Sequence, residues 1–314
     1  MPAEVETMMF VGETPWHGLG TELQDVATAE EAIKAAGLDW EVELVPLYLF
    51  ANDITEIVGK KALIRQADQK VYNIVSDRYV PVQNRTAFSF FDSVTGTEAA
   101  KYHTAGSLKE GRVVWMLAKL TESMGIKGEQ IDKYLLLSNS HDGTLALQMF
   151  FTPVRVVCMN TLSMALTSGA DKFYARHTTN IATRIETARE ILGMTNTWYA
   201  QWKEQAERLA TLQLPPAEMP LLLTAAFGYE GIPMEQVWAP VREDMEKIPV
   251  LMETGRGMDN TQIRGTKWAA YNAIAEHCDH YKRVRGNNQE KRLYSAWFGQ
   301  GNEIKRRAWS YLLR

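Results

Sequence analysis

Basic and aromatic side chains alternate near the C-terminal end of this sequence. Residues 261–314 contain eleven lysines and arginines but only four acidic residues. The aromatic residues of this stretch are Trp268, Tyr271, Tyr281, Tyr294, Trp297, Phe298, Trp309 and Tyr311. Because positive charge binds phosphate and aromatic rings stack on unpaired bases, this composition is typical of proteins that bind single-stranded nucleic acid. The alternative interpretation is a solvated basic helix face with buried tryptophans.

Particular residues of this kind are candidates for phosphate contacts. Arg155 lies in a strand-like apolar run, and Arg176 and His177 precede a predicted long helix, whose first amides favour anions. We therefore expect these three residues to form the inner contacts, with pairing to an acid as the alternative role for Arg155. The expected outer residues are Arg283, Arg285, Arg292, Arg306 and Arg307, with Trp297 as a stacking ring.

A second hypothesis is an enzyme of unknown reaction. Thiol or imidazole chemistry requires a nucleophile, a base and an orienting group within hydrogen-bonding distance. The residues available for such a site are His17, His141, His177, Cys158 and Asn160. They come from separate predicted loops, so this hypothesis requires that the fold bring them together.

A carboxylate and two imidazoles also occur close together in the sequence. Glu276, His277 and His280 lie near the end of a predicted helix, and Glu276 and His280 share one of its faces. A metal site needs further ligands, and none occurs at zinc-like spacing. We therefore predict no metal and no cofactor, and we expect the histidines to cap the helix C-terminus.

Negative charge is concentrated at the other end of the chain. Residues 1–50 contain ten acidic residues and one lysine, and the whole chain has a formal net charge of −4. This balance argues against indiscriminate DNA binding. The acidic segment is expected to mask the basic tail or to pair with the tail of a neighbour in a homo-oligomer. A third hypothesis is that this segment binds a host protein.

Targeting signals and membrane spans are not apparent in the sequence. Residues 1–20 lack the basic start and apolar run of a secretory signal. No stretch approaches the roughly 20 apolar residues that span a bilayer. Cys158 and Cys278 are predicted to be free thiols in a reducing compartment. These features predict a cytoplasmic protein with no membrane partner.

Hydrophobic periodicity predicts an α+β fold. The first half has the alternation and turn signals of strands with short helices, and the second half has helical spacing. We expect an acidic segment at 1–38, a β-rich core at 39–179 and a helical region at 180–314 that carries the basic aromatic tail. Thr28 and Glu31 form a predicted capping box before a helix at 31–36, and a second short helix is predicted at 85–94. The predicted strands cover 40–49, 61–65, 71–75, 112–120, 134–137 and 145–157, and the turn-prone residues 66–70 predict that 61–65 and 71–75 form a hairpin. Loops are predicted at 1–26 and 249–264.

Several short blocks resemble a known family. They are Pro15–Gly20, Ser140–Gly143, Arg155–Leu162, Arg176–Thr178 and Gly265–Ala273. Together they are similar to a phage/plasmid-like protein family, the domain of unknown function 932. The resemblance implies a mobile-element protein made in the cytoplasm of a bacterial host. A more distant likeness, at the level of a strand-rich core with surrounding helices, is to Rad52-like phage single-strand annealing proteins. These resemblances favour the hypothesis of a phage or plasmid DNA-metabolism protein that binds or anneals single strands.

Overall fold

The computed structural model describes residues 7–12, 20–24, 28–95, 100–155, 160–161, 172–178, 195–285 and 289–314. The strands are β1 (Met8–Val11), β2 (Thr21–Leu23), β3 (Val42–Phe50), β4 (Ile54–Arg65), β5 (Lys70–Ser76), β6 (Ala100–Leu108), β7 (Val113–Ile126), β8 (Glu129–Ser140), β9 (Leu147–Arg155), β10 (Asn160–Thr161) and β11 (Lys172–Ala175). The helices are α1 (Ala29–Ala35), α2 (Asn84–Thr95), α3 (Thr195–Leu209), α4 (Glu218–Phe227), α5 (Ala239–Thr254), α6 (Lys267–Glu276), α7 (Gln289–Phe298) and α8 (Gln300–Leu312). Strands dominate the first half and helices the second, so the predicted α+β class is confirmed.

The strands form two sheets. In the larger sheet the order is β10, β9, β8, β7, β6, β1 and β2, and β11 pairs with β9. The smaller sheet has the order β3, β4, β5, and both of its pairings are antiparallel. The predicted hairpin of 61–65 and 71–75 is confirmed by the pairing of β4 with β5.

The N-terminal strand corrects one expectation. Residues 1–26 were expected to form a loop, but Met8–Val11 forms β1, which pairs antiparallel with β6 and parallel with β2. Met8, Met9 and Phe10 are buried. A run of four apolar residues has no alternation, so its sequence alone does not distinguish a buried strand from a loop.

Helix α1 begins where the sequence predicts. The hydroxyl of Thr28 accepts a hydrogen bond from the backbone N–H of Glu31, and the Glu31 carboxylate accepts one from the N–H of Thr28. This reciprocal capping box satisfies two amides that the first helical turn leaves without partners.

Helix α5 corrects a second expectation. The stretch 249–264 was expected to be a loop, yet α5 continues through Pro249 to Thr254. Met245, Ile248 and Met252 are buried at helical spacing, so packing of this face offsets the backbone hydrogen bond that Pro249 cannot donate. After α6 the helical backbone widens into a π-helix over His277–Tyr281.

The chain divides into two compact units that are discontinuous in sequence. The first comprises residues 1–121, 135–150 and 170–195, and the second comprises residues 122–134, 151–169 and 196–314. None of the helices in the described ranges is both long enough and apolar enough to cross a bilayer.

Candidate functional site

A pocket lined by arginines lies on the second unit. Its volume is about 430 Å³, and we call it the arginine pocket. It is lined by Arg306, Arg307, Ser310 and Arg314 from α8 and the residues that follow it, and by Ala225, Gly228 and Glu230 from the end of α4 and the turn after it.

Helical spacing explains why one side of α8 carries these groups. Arg306, Ser310 and Arg314 follow one another at intervals of four, so they project from the same face. On the opposite side of α8, Ala308 and Trp309 are fully buried. The apolar side therefore fixes the helix against the unit, and the basic side is left at the surface.

Two of the arginines are held by acidic side chains. Arg314 forms an ion pair with Glu230, and this pairing lowers the pKa of the Glu230 carboxyl. The Arg314 guanidinium also lies 5.6 Å from the centre of the Tyr311 ring, a cation–π distance. Arg306 lies 3.4 Å from a carboxylate oxygen of Glu303, one turn earlier.

The Arg307 guanidinium and the Ser310 hydroxyl have polar groups that the described part of the chain does not engage. In the part of the chain that the structure describes, Arg307 forms no ion pair and the Ser310 hydroxyl forms no hydrogen bond. The Arg307 guanidinium lies against the backbone of Gly228, where an added β-carbon would be 2.7 Å from its Nη1 atom. Gly228 ends α4 with a φ of 86°, a left-handed conformation that glycine adopts without strain.

The other predicted basic residues lie outside this pocket. Arg283 is exposed and pairs with Glu243 of α5, at 3.0 Å. Arg285 is exposed, and Arg292 is partly buried. Trp297 is also partly buried, with its ring perpendicular to that of Phe298 at 6.1 Å. The structure thus gathers Arg306 and Arg307 from the predicted set and does not place Arg283, Arg285, Arg292 or Trp297 among the pocket residues.

Two tail tryptophans belong to the core. Trp268 and Trp309 are fully buried, and Trp309 stacks on Trp202 with 5.5 Å between ring centres. The indole N–H of Trp268 donates to the Glu129 carboxylate at 2.9 Å. These rings stabilise the second unit and present no face to a base.

Arg155, Arg176 and His177 belong to other parts of the structure. Arg155 ends β9 and pairs with Asn160 of β10 through the backbone, while its side chain lies outside the described part. Arg176 is exposed directly after β11. His177 is buried, and its Nδ1 atom lies 3.2 Å from the backbone oxygen of Val80.

His141 lies at the centre of a buried group of polar and aromatic side chains in the first unit. Nε2 of His141 lies 2.8 Å from Oδ1 of Asn84, whose own amide donates to the backbone oxygen of Leu38. Because the Asn84 oxygen is an acceptor, His141 must carry a proton on Nε2. The Trp40 ring contacts the imidazole edge-on at 5.0 Å. Burial, and to a smaller extent the neighbouring His177, lowers the pKa of His141 to about 3.

The second histidine is packed against a tyrosine. Tyr79 stacks on His177 with ring centres 4.8 Å apart. Burial lowers the pKa of His177, although backbone hydrogen bonds to Val80 and Leu145 raise it. Burial also raises the pKa of Tyr79, and the charge of Asp142 raises it further. Both histidines are therefore neutral near pH 7.

The residues of the enzyme hypothesis are only partly placed. His141 and His177 both belong to the first unit, but their ring nitrogens lie beside different partners, Asn84 and the backbone oxygen of Val80. His17 and Cys158 lie outside the described residues, as does the side chain of Asn160. Since His141 is only 1% exposed, it does not meet a substrate in this conformation.

The Glu276–His280 cluster has structural partners. The Glu276 carboxylate accepts a hydrogen bond from the backbone N–H of Arg256 at 3.1 Å. His277 is fully buried 4.0 Å from Asp244, and burial lowers its pKa to about 4. His277 occupies the C-cap position of α6, as the sequence predicts, but burial keeps its imidazole neutral near pH 7, so it does not place the expected positive charge at the helix end. Within the described ranges, no three His, Cys, Asp or Glu side chains form a group that could hold a metal ion.

Sequence reasoning missed Ser310, Arg314, Gly228 and Glu230. The spacing of Arg306, Ser310 and Arg314 was a readable signal, because intervals of four put side chains on one helix face. Gly228 and Glu230 are about 80 positions earlier and reach the pocket through tertiary packing, which no local pattern reports.

Comparison with known proteins identifies relatives and a family. The chain is 32% identical over 114 residues to the UPF0380 proteins YfjQ and YafZ of Escherichia coli (strain K12). This match covers 36% of the chain and 39% of each relative, so the chain spans well under half of their length. No solved structure matches. A family described as "Domain of unknown function (DUF932)" matches residues 71–297, which is most of the sequence, and the chain therefore belongs to this family.

Proposed function

We propose that this protein binds single-stranded nucleic acid through the arginine pocket, as a factor of phage or plasmid DNA metabolism in the bacterial cytoplasm. The observation that supports the proposal is the convergence of Arg306, Arg307 and Arg314 on one pocket. Guanidinium groups donate paired hydrogen bonds to phosphate oxygens, and they stay charged at any physiological pH.

The backbone around the pocket is compatible with an anion. The carboxyl end of a helix repels negative charge through its free carbonyl groups. At the end of α4 the carbonyl of Thr224 accepts a hydrogen bond from the N–H of Tyr229 at 2.7 Å, and that of Ala225 accepts one from the N–H of Gly228. Since these two carbonyls already accept hydrogen bonds, they repel an anion less, and the lining side chains include three arginines against one glutamate.

More specifically, we propose that the protein anneals complementary single strands. The arginine pocket supplies a backbone contact, which carries no sequence information. Binding through phosphate alone suits a protein that must accept any sequence. Self-association into a homo-oligomer and binding of a host protein stay predictions.

Fluorescence anisotropy tests the proposal. A labelled single strand of about 30 nucleotides and the matching duplex are titrated at about 50 and 200 mM salt. We expect single-strand binding that is tighter than duplex binding and that weakens as salt rises, because counterions are released when phosphates are neutralised. Absence of single-strand binding at the lower salt contradicts the proposal.

A further inference from the structure

The donor groups of the arginine pocket distinguish between two kinds of phosphate. Its lining contains three arginines and one glutamate, and Glu303, which pairs with Arg306 from outside the lining, offsets one further positive charge, so Arg307 is the arginine without an acidic partner among the described residues. An internal phosphodiester carries a single negative charge, whereas a terminal phosphomonoester carries about −1.5 to −2 at pH 7. We propose that the pocket holds the terminal phosphate of a nucleic-acid strand. This inference rests on the proposed function and names the part of the strand that the site recognises.

The available donors match a terminal phosphate. A phosphomonoester has three strong acceptor oxygens, one more than a diester offers. Arg307 supplies a guanidinium with no ion pair to a described residue, and Ser310 supplies a hydroxyl with no hydrogen bond to one. Arg306 lies beside them on the same helix. Together these side chains can donate to all three oxygens, since one guanidinium binds two oxygens at once.

The flanking arginines are partly oriented. Arg306 and Arg314 are held by Glu303 and Glu230 respectively, and Arg314 also packs on the Tyr311 ring. Both ion pairs are about half exposed, so they favour one orientation of each guanidinium group without fixing it, and this bias lowers the ordering cost of a ligand only in part. The pocket volume of about 430 Å³ lies within the range of small-ligand sites, so it has room for a phosphate with its sugar.

The test compares strands that differ only at their ends. Oligothymidine of about 20 nucleotides is prepared with a 5′-phosphate, a 3′-phosphate or two hydroxyl ends, and each is labelled away from the end under test. At about pH 7.5, where the monoester is dianionic, we expect one phosphorylated end to bind about tenfold more tightly than the hydroxyl strand. This preference should decrease below about pH 6, because the phosphate takes up a proton there.

Substitutions in the arginine pocket test whether its side chains cause the preference for a phosphorylated end. Arg307→Gln and Ser310→Ala should each reduce the ratio of the affinity for the preferred phosphorylated strand to the affinity for the hydroxyl strand. Arg307→Gln should bring this ratio close to one. Arg208→Gln removes an exposed arginine of α3 that is outside the pocket, so the ratio should not change in this control. A nucleoside 5′-monophosphate should compete far less well, per mole, than the phosphorylated strand.

The outcomes separate the two proposals. If no strand binds, the proposed function is wrong and this inference fails with it. If all strands bind with equal affinity, or if the ratio persists in Arg307→Gln, the proposed function stands and the inference is wrong. Equal competition by the nucleoside monophosphate means that the pocket takes free nucleotides, which also overturns the inference.

Discussion

The guanidinium of Arg307 lies directly over the backbone of Gly228, where a β-carbon would come within 2.7 Å of its Nη1 atom. The glycine therefore has two roles: it adopts the left-handed conformation that ends α4, and it leaves space for the arginine. Gly228→Ala should remove that space and displace Arg307, so we expect weaker binding of single-stranded DNA together with a stability loss of about 1 kcal/mol. Anisotropy and urea unfolding measure the two effects.

Gly231→Ala is the matched control for this variant. Gly231 has a similar φ of 81°, but nothing lies within 4 Å of the position of its β-carbon. The same backbone strain should lower stability without changing DNA affinity. Equal losses of affinity in both variants would mean that Gly228 acts through stability alone.

A buried ion pair fixes the inner side of α8. Nζ of Lys305 lies 2.7 Å from the Asp279 carboxylate, and these side chains are 1% and 3% exposed. Lys305→Met removes the positive charge opposite a buried carboxylate, which should lower the free energy of unfolding by about 3–5 kcal/mol. Adding Asp279→Asn removes the negative charge as well and should recover about half of that loss. Urea unfolding at pH 7 measures each variant.

Lys203→Met provides the comparison for an exposed pair. Lys203 lies 3.6 Å from Glu207, and both side chains are more than 40% exposed. Solvent screening limits such a pair to about 1 kcal/mol or less. A loss in Lys305→Met no larger than this would show that the pair with Asp279 does not stabilise the unit.

The buried histidines predict a loss of stability in acid. The folded protein holds His141 neutral, with a pKa of about 3, whereas the unfolded chain takes up a proton near pH 6.5. Unfolding is therefore accompanied by proton uptake between these values, and the free energy of unfolding decreases as pH falls, by about 1.4 kcal/mol per pH unit for one such group. His277 and His177 act in the same direction.

A variant isolates the contribution of His141. His141→Gln keeps a donor for Asn84 but does not titrate. Its unfolding free energy is measured by urea titration at about pH 7, 6 and 5. As pH falls, this free energy should decrease less steeply than that of the wild type, and the difference in slope should be about 1.4 kcal/mol per pH unit, the value for one proton. An unchanged slope would show that His141 takes up a proton in the folded state.

Local signals predicted much of the fold and little of the site. The Thr28–Glu31 capping box and the β4–β5 hairpin follow from short-range chemistry, and both were predicted from it. The continuation of α5 through Pro249 was missed because 249–264 is rich in glycine, methionine and charged residues, and this composition was given more weight than the helical spacing of Met245, Ile248 and Met252. The arginine pocket depends on packing between α4 and α8, and only the α8 side has a local pattern.

The acidic N-terminal segment is expected to mask the basic residues, and the fold indicates how to test this. Deleting residues 1–38 would remove β1 and α1, whose side chains belong to the core. Replacing the exposed Glu22, Asp39 and Glu41 by their amides lowers the negative charge and keeps these elements. If masking occurs, anisotropy should show higher DNA affinity. Unchanged affinity at low salt would exclude masking by these three carboxylates.

The salt dependence of single-strand binding by the double variant Arg306→Gln/Arg307→Gln tests most directly whether the arginine pocket contacts the strand. Each phosphate contact contributes about −0.7 to the slope of log affinity against log salt for a single strand. We predict that the double variant binds more weakly than the wild type at low salt and that its slope is shallower by about 0.7, because both arginines contact one phosphate, while Arg208→Gln matches the wild type. A slope and affinity equal to those of the wild type would show that the arginine pocket does not contact the strand.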